Sequence, residues 1–360
     1  MAASHPTVVI TDETLRDGLQ IERQGVTLDE KLKLIDMLTA AGVNRLVVGA
    51  FVNPKWSPQM ADTEQLVRLL KPREGVQYFA LALNERGREF RRKFSPPLSV
   101  DPMPTTHLHL CEVFLLRNTN RTVEDQERTW RGPIEQAGAA GLHEAAMGLS
   151  APWGSNWRGE FTQAQRLGAL DRQWVAWNEA GISVVRIDLA DPMAWNTPAR
   201  VAEDLRAFKT RYPSVREFRL HMHNARGMAM LSAYEALKTL EPNDTLMLDT
   251  ALGGIGGCPY CGNGQATGMI PTEDLVQLLH AEGVATGIDL AKLIEAAKTL
   301  EDILGRPLDG HVAKNGPLPS AGELYDKDMP VIYTLDEAQH FRKGPGVYRS
   351  DFRPWVRTAK

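Results

Sequence analysis

His221 and His223 stand two residues apart in the run FRLHMHN, and Arg16 and Asp17 stand side by side in DETLRDGLQ. If FRLHMH is a strand, its period of two turns both imidazoles to one face, so both can enter the same site. An aspartate with two neutral imidazoles is a donor set for a divalent cation, with positions left over for substrate and water. A third reactive group lies in GGIGGCPYCGNGQATG, Gly253 to Gly268, where seven glycines and two cysteines fall within sixteen residues. Cys258 and Cys261 have the spacing of a redox dithiol or of half a zinc site. A redox pair belongs near the start of a small thioredoxin-like domain, between a strand and a helix. Zinc needs a second ligand pair, and the third cysteine, Cys111, is far off in sequence. Context therefore favours a glycine-rich loop that contacts substrate or an anion.

Residues 16, 221 and 258 can act together only if a fold gathers them. The runs TVVIT (7–11), NRLVVGAF (44–51), VQYFALAL (76–83), HLHLCEVFLL (107–116), GLHEAAMGL (141–149), ISVVRIDLA (182–190), FRLHMH (218–223) and DTLMLDTAL (244–252) read as strands. Helical patterns lie between most of them, at 28–42, 60–70, 122–138, 162–180, 198–210, 227–239 and 272–282. Such alternation predicts parallel βα units, and eight strands predict an α/β fold, a (β/α)8 TIM barrel over residues 1–285. A doubly wound open sheet is the alternative. In a barrel the site gathers where strands end and βα loops begin, which is where these polar groups fall. A helix stopped by Gly305 and a Pro/Gly-rich remainder predict a C-terminal helical cap and extension over 286–360.

The formal net charge of −4 gives no electrostatic case for nucleic acid or an anionic membrane. No apolar run approaches the roughly 20 residues of a membrane span. Three cysteines suit a reducing compartment, and the N-terminus enters a strand-like run rather than a signal peptide, so a cytoplasmic protein is expected.

From residue 10 to about residue 300 these segments resemble the DRE-TIM metallolyases, and among them the 3-hydroxy-3-methylglutaryl-CoA lyase-like branch. TLRDGLQ resembles the strand-one motif, FVNPKWSPQMAD the second βα loop, HMHNARG the metal-histidine motif, and GGIGGCPY with PTEDL the lyase signature loop. RNTNR (117–121) is similar to a segment of lyase-like members. The resemblance implies Mg²⁺ or Mn²⁺ held by Asp17, His221 and His223. It implies Arg16 as stabiliser of an enolate oxygen, Asp191 of LADP as a relay for the hydroxyl proton together with His221, and Cys258 as the acid that protonates the released carbanion. A thiol suits that step because thiols titrate close to working pH. Cys261 is then a bystander able to form an inactivating disulfide. Arg117 and Asn118 of RNTNR, with RRKF (91–94), offer contacts to a coenzyme A phosphate or a substrate carboxylate. Two positions depart from the family pattern: Val47 stands where strand two carries a glutamate, and Met269 where an asparagine ligates the metal, with Asn263 or water as its substitute.

The expected function is divalent-metal-dependent carbon–carbon cleavage, a retro-Claisen reaction on a branched 3-hydroxyacyl-CoA, in a homodimer by analogy. The alternatives are an acyl-CoA condensing synthase of the isopropylmalate or homocitrate type, an aldolase on a free hydroxy acid, and a degenerate barrel that binds without turnover.

Overall fold

The computed structural model describes residues 5–22, 25–82, 85–100, 103–261 and 268–319. All eight expected strands form: β1 (Thr7–Asp12), β2 (Arg45–Ala50), β3 (Gln77–Leu81), β4 (Thr105–His109), β5 (Glu144–Ser150), β6 (Ser183–Asp191), β7 (Glu217–Met222) and β8 (Thr245–Ala251). Their spatial order is β3-β2-β1-β8-β7-β6-β5-β4, with every ladder between them parallel. The first and last strands pair directly, from Thr7 against Thr245 to Asp12 against Thr250. A doubly wound sheet reverses its order in the middle and keeps those strands apart, so the pairing selects the barrel. Between β3 and β4 no ladder forms among the described residues. There Ser99 N–H donates to the Tyr78 carbonyl at 2.7 Å, and Tyr78 N–H to Ser99 Oγ at 3.3 Å.

Alternation along the strands sorts side chains into two layers. Phe218, Leu220 and Met222 of β7 are fully buried in the apolar core. The intervening Arg219 and His221 meet other polar groups: Arg219 reaches Asp249 of β8, just as Arg186 of β6 reaches Asp188. These inward-facing charges are paired, which is the condition under which burial tolerates them.

The helix expected at 28–42 runs Leu28–Ala40, started by a capping box in which Thr27 and Glu30 satisfy each other's backbone N–H groups. Four local expectations change. The run 107–116 is not one strand: β4 ends at His109, and Glu112–Thr119 is a helix whose first turn is capped by Cys111 Sγ, which accepts Phe114 N–H at 3.4 Å. The pattern at 122–138 splits into helices Val123–Arg128 and Arg131–Ala139. A helix Glu85–Arg92 and a small hairpin of Gly154–Ser155 with Gly159–Glu160 were not foreseen.

The compact unit runs from Met1 to Gly316 and takes in the helix Leu290–Leu304, which packs on Leu28–Ala40; Asp289 N–H donates to the Ala41 carbonyl at 2.7 Å. A second unit follows from Pro317. Among the described residues no helix is long and apolar enough to cross a membrane.

Candidate active site

Beyond β1 the chain tightens into a single π-helical turn, Thr14–Gly18, which carries Arg16 and Asp17. Arg16 lies between two carboxylates: its Nε donates to Glu13 Oε2 and its Nη1 to Asp17 Oδ2, both at 2.7 Å. Burial alone would lower the Arg16 pKa, but the charges of Glu13 and then Asp17 overcome it and hold the guanidinium above its ordinary value. Burial alone would raise Asp17, yet Arg16 first, then His223 and His221, draw its carboxyl down to about 2. The pair stays charged at any working pH.

Across the barrel, β7 and the residue after it deliver His221 and His223. Asp17 Oδ2 is 3.9 Å from His221 Nε2, and Asp17 Oδ1 is 3.8 Å from His223 Nε2. Those gaps are too long for hydrogen bonds, yet the three donor atoms lie within 4.8 Å of one another. Behind His221, its Nδ1 meets Asp249 Oδ2 at 3.1 Å, so the ring proton sits on Nδ1 and the Nε2 lone pair faces Asp17. Burial would raise Asp249, but Arg219 and then His221 pull it below the ordinary carboxylate range. A hard oxygen, two imidazoles and a carboxylate behind one of them fit a divalent cation.

The glycine loop after β8 completes the site. Gly257 N–H donates to Asp17 Oδ1 at 3.2 Å. Gly256 has φ +125°, and a Cβ there would sit 2.9 Å from Asp17 Oδ1, so this position admits glycine alone. Cys258 follows at once and is partly exposed, whereas Cys261 is buried with its Sγ donating to the Pro192 carbonyl at 3.2 Å. Glu273 of the TEDL segment ties the loop to the barrel by accepting Gly253 N–H at 3.0 and 3.1 Å. Burial pushes Glu273 up to about 7, against the opposing bond from Gly253. The folded state thus holds this proton more tightly than the unfolded chain, and stability falls as pH rises from the ordinary glutamate value of 4.5 to about 7. In Glu273→Gln that slope should be missing, which denaturant midpoints compared at about pH 5 and about pH 8 will reveal.

Arg16, Asp17, His221, His223 and Cys258 all line one cleft of about 340 Å³, together with Gln20, Phe51, Phe114, Asn118 and Ser150. Asn118 therefore reaches the cleft, while Arg117 beside it donates to the Tyr260 carbonyl at 3.0 Å and stacks over Trp157, bracing the glycine loop from outside. Asp191 does not line the cleft, although Ala190 and Pro192 on either side do. Its Oδ2 accepts Asn196 N and Nδ2 at 2.7 and 2.8 Å, its buried Oδ1 has no partner, and burial raises its pKa. Met269 packs in the apolar core and bridges His223 through the backbone. Val47 is buried on β2. Asn263 lies outside the described residues. Asp249, Glu13 and Arg219 were not singled out from sequence, although FRLHMH places Arg219 on the same face as the two histidines.

The HMGL-like family matches residues 106–300. Over 327 residues the chain is 32% identical to (R)-citramalyl-CoA lyase of Chloroflexus aurantiacus, covering 86% of this chain and 95% of that one. It is 30% identical to the 3-hydroxy-3-isohexenylglutaryl-CoA/hydroxymethylglutaryl-CoA lyase of Pseudomonas aeruginosa, covering 83% of this chain and 93% of the relative. Among solved structures, an HMG-CoA lyase from Acinetobacter baumannii in complex with coenzyme A and 3-methylmalate superposes with TM-score 0.72 at 26% identity, covering 91% of this chain and 98% of that one. Sequence, fold and the gathered polar groups agree, and the chain belongs to the HMGL-like family of the DRE-TIM superfamily.

Proposed function

We propose that this cleft carries out the divalent-metal-dependent retro-Claisen cleavage of a branched 3-hydroxyacyl-CoA, with Mg²⁺ or Mn²⁺ as the cation. The observation that carries this reading is the convergence of Arg16, Asp17, His221, His223 and Cys258 on one cleft. Its relatives by sequence are named as citramalyl-CoA and hydroxymethylglutaryl-CoA lyases, which supports carbon–carbon cleavage of an acyl-CoA. A cation held by Asp17, His221 and His223 would supply Lewis acidity toward the substrate's carbonyl and hydroxyl oxygens.

The chain's own groups account for the rest. Asp191, buried directly behind Ala190 and Pro192 of the cleft wall, takes up the tertiary hydroxyl's proton by relay rather than direct contact. Its unpartnered Oδ1 and raised pKa make it a stronger proton acceptor than an exposed carboxylate. The carbinol carbon becomes a ketone as its bond to the thioester α-carbon breaks, and the electron pair passes into a thioester enolate. Arg16 lines the cleft with two of its N–H groups committed to Glu13 and Asp17, and those bonds fix the plane in which its other donors meet the enolate oxygen. Cys258 then gives its proton to the α-carbon and regains one from solvent.

Mass-spectrometric turnover of citramalyl-CoA and 3-hydroxy-3-methylglutaryl-CoA tests the reading, each with Mg²⁺, with Mn²⁺ and after chelation. Metal-dependent release of a shorter acyl-CoA and a keto acid is expected. A metal-loaded protein that cleaves neither, yet joins an acyl-CoA to a keto acid, would replace this reading with the condensing synthase. The homodimer belongs to the same reading and rests on the family resemblance, and the cytoplasmic location rests on the three cysteines and the strand-like N-terminal run.

A further inference from the structure

A second His-x-His pair lies on β4 and plays no part in the chemistry above. His107 and His109 share one face, and their rings stand 5.5 Å apart. Thr106 and Leu108, on either side of His107, take the opposite face, where the Thr106 hydroxyl accepts the Trp177 indole N–H of the outer helix Gln163–Glu179. The histidines therefore look into the barrel. His107 fits there only because its neighbour is Gly148: a Cβ at that position would lie 2.4 Å from His107 Nδ1. His107 Nε2 meets Ser150 Oγ at 2.7 Å, and Ser150 lines the cleft.

The hydrogen bonds around His109 determine where its proton sits. The His109 backbone N–H donates to Gln126 Oε1 at 3.0 Å, which identifies the oxygen end of that amide. Gln126 Nε2 is then the donor that meets His109 Nδ1 at 2.8 Å, so Nδ1 accepts and carries no proton. In the neutral ring the proton is on Nε2. That Nε2–H is buried and has no hydrogen-bond partner. His109 stands one layer behind the cleft lining: it is in register with Ser150, and its ring lies 5.4 Å from that of Phe114, both of which line the cleft. Burial, then the neighbouring His107, holds the His109 pKa down to about 3, so the ring is neutral at working pH. A buried donor left unmet is unfavourable, and it becomes favourable when a ligand brings the missing acceptor.

We propose that His109 is a specificity-determining residue whose Nε2–H, behind the cleft wall formed by Phe114 and Ser150, receives a carboxylate on the acid half of the substrate. This deepens the lyase reading, on which it rests for the identity of the substrate. It makes the cleft selective for thioesters of dicarboxylic acids. A neutral N–H donor in a dry setting suits one oxygen of a carboxylate and orients it. Arg16 is left to the reacting end.

The test uses the Mg²⁺-loaded protein with two free acids, 3-hydroxy-3-methylglutarate and 3-hydroxy-3-methylbutyrate, which differ by one carboxylate. Wild type should bind the dicarboxylate at least about tenfold more tightly. His109→Phe, which keeps the ring volume and removes the donor, should erase that preference. His109→Gln, which returns an N–H near the same place, should restore part of it. On a cleaved thioester the Phe variant should raise KM by about ten- to a hundredfold with kcat nearly unchanged. Histidine ¹⁵N NMR should find the His109 proton on Nε2 and see it shift when the dicarboxylate binds. A proton on Nδ1, or a Phe variant that keeps the dicarboxylate preference, would overturn the assignment. The NMR and free-acid arms need no turnover, so if wild type cleaves no thioester the lyase reading falls while His109 is still judged.

Discussion

Cys258→Ser should lose two to four orders of magnitude in kcat, roughly what a positioned general acid contributes, while its metal content stays that of wild type. A serine hydroxyl is a far weaker acid than a thiol, so the enolate would have to wait for water. The prediction is specific to one sulfur of the pair. Cys258 lines the cleft directly after Gly257, whose N–H is bonded to the metal-site carboxylate Asp17. Cys261 is fully buried, its proton committed to the Pro192 carbonyl, and its hydrogen bond with Cys258 followed by burial pushes its thiol up. A thiol held that firmly in its protonated form gives up its proton slowly. Cys261→Ala should therefore keep kcat within about threefold while costing about 1 kcal/mol of stability for the lost packing. Equal losses in the two variants would mean that the thiols work as a redox or relay pair, and full activity in Cys258→Ser would remove the thiol from the reaction.

What could be read from the sequence divides along a physical line. Strands buried on both sides are short apolar runs bounded by loops, so β1 to β8 were visible in order. The barrel followed from their number and alternation. Asp17, His221 and His223 were visible because strand periodicity and a strand end are local properties. The carboxylates that support them were not. Glu13 meets both Arg16 and Arg219, the latter at 3.6 Å, and Asp249 meets Arg219 and His221. Glu13 reaches Arg219 through the β1–β8 closure, and Asp249 reaches Arg219 and His221 across the neighbouring β7–β8 ladder, pairings that no local pattern encodes. The run HLHLCEVFLL hid a boundary for a different reason. It is apolar throughout, and periodicity cannot separate a strand from a buried helix over so short a span. The break comes at Cys111, an unusual cap, and with it went the chance to see that His107 and His109 end a strand at the site. Met269 is the converse case. A motif comparison puts it at a ligand position, but a thioether is a poor partner for a hard cation, and here it packs into the core instead.

Asp249→Asn should weaken Mn²⁺ binding by about ten- to a hundredfold, the usual cost of losing the carboxylate behind a ligating histidine. At present the ionised Asp249 accepts the proton of His221 Nδ1 and so leaves Nε2 free to ligate. An asparagine can turn its NH₂ toward Nδ1 just as well as its oxygen. The ring proton then moves to Nε2, where it competes with the cation. The same substitution takes the negative charge away from Arg219, which Asp249 holds through Nε at 3.0 Å and Nη2 at 2.9 Å. Some thermal stability will therefore be lost, and that loss must be separated from the effect on the metal. Glu13→Gln provides the control: it strips a carboxylate from Arg16 and Arg219 but makes no hydrogen bond to His221. It should lower kcat through a loosened Arg16 and leave Mn²⁺ affinity close to wild type. Calorimetric titration of Mn²⁺ into both folded variants, with kcat measured at saturating metal, distinguishes the two roles. Weak binding in Asp249→Asn with kcat recovering as metal is raised would assign Asp249 to orienting His221. Unchanged Mn²⁺ affinity in that variant would mean that His221 does not need its carboxylate to ligate, and that the Arg219–Asp249 pair serves the barrel interior alone.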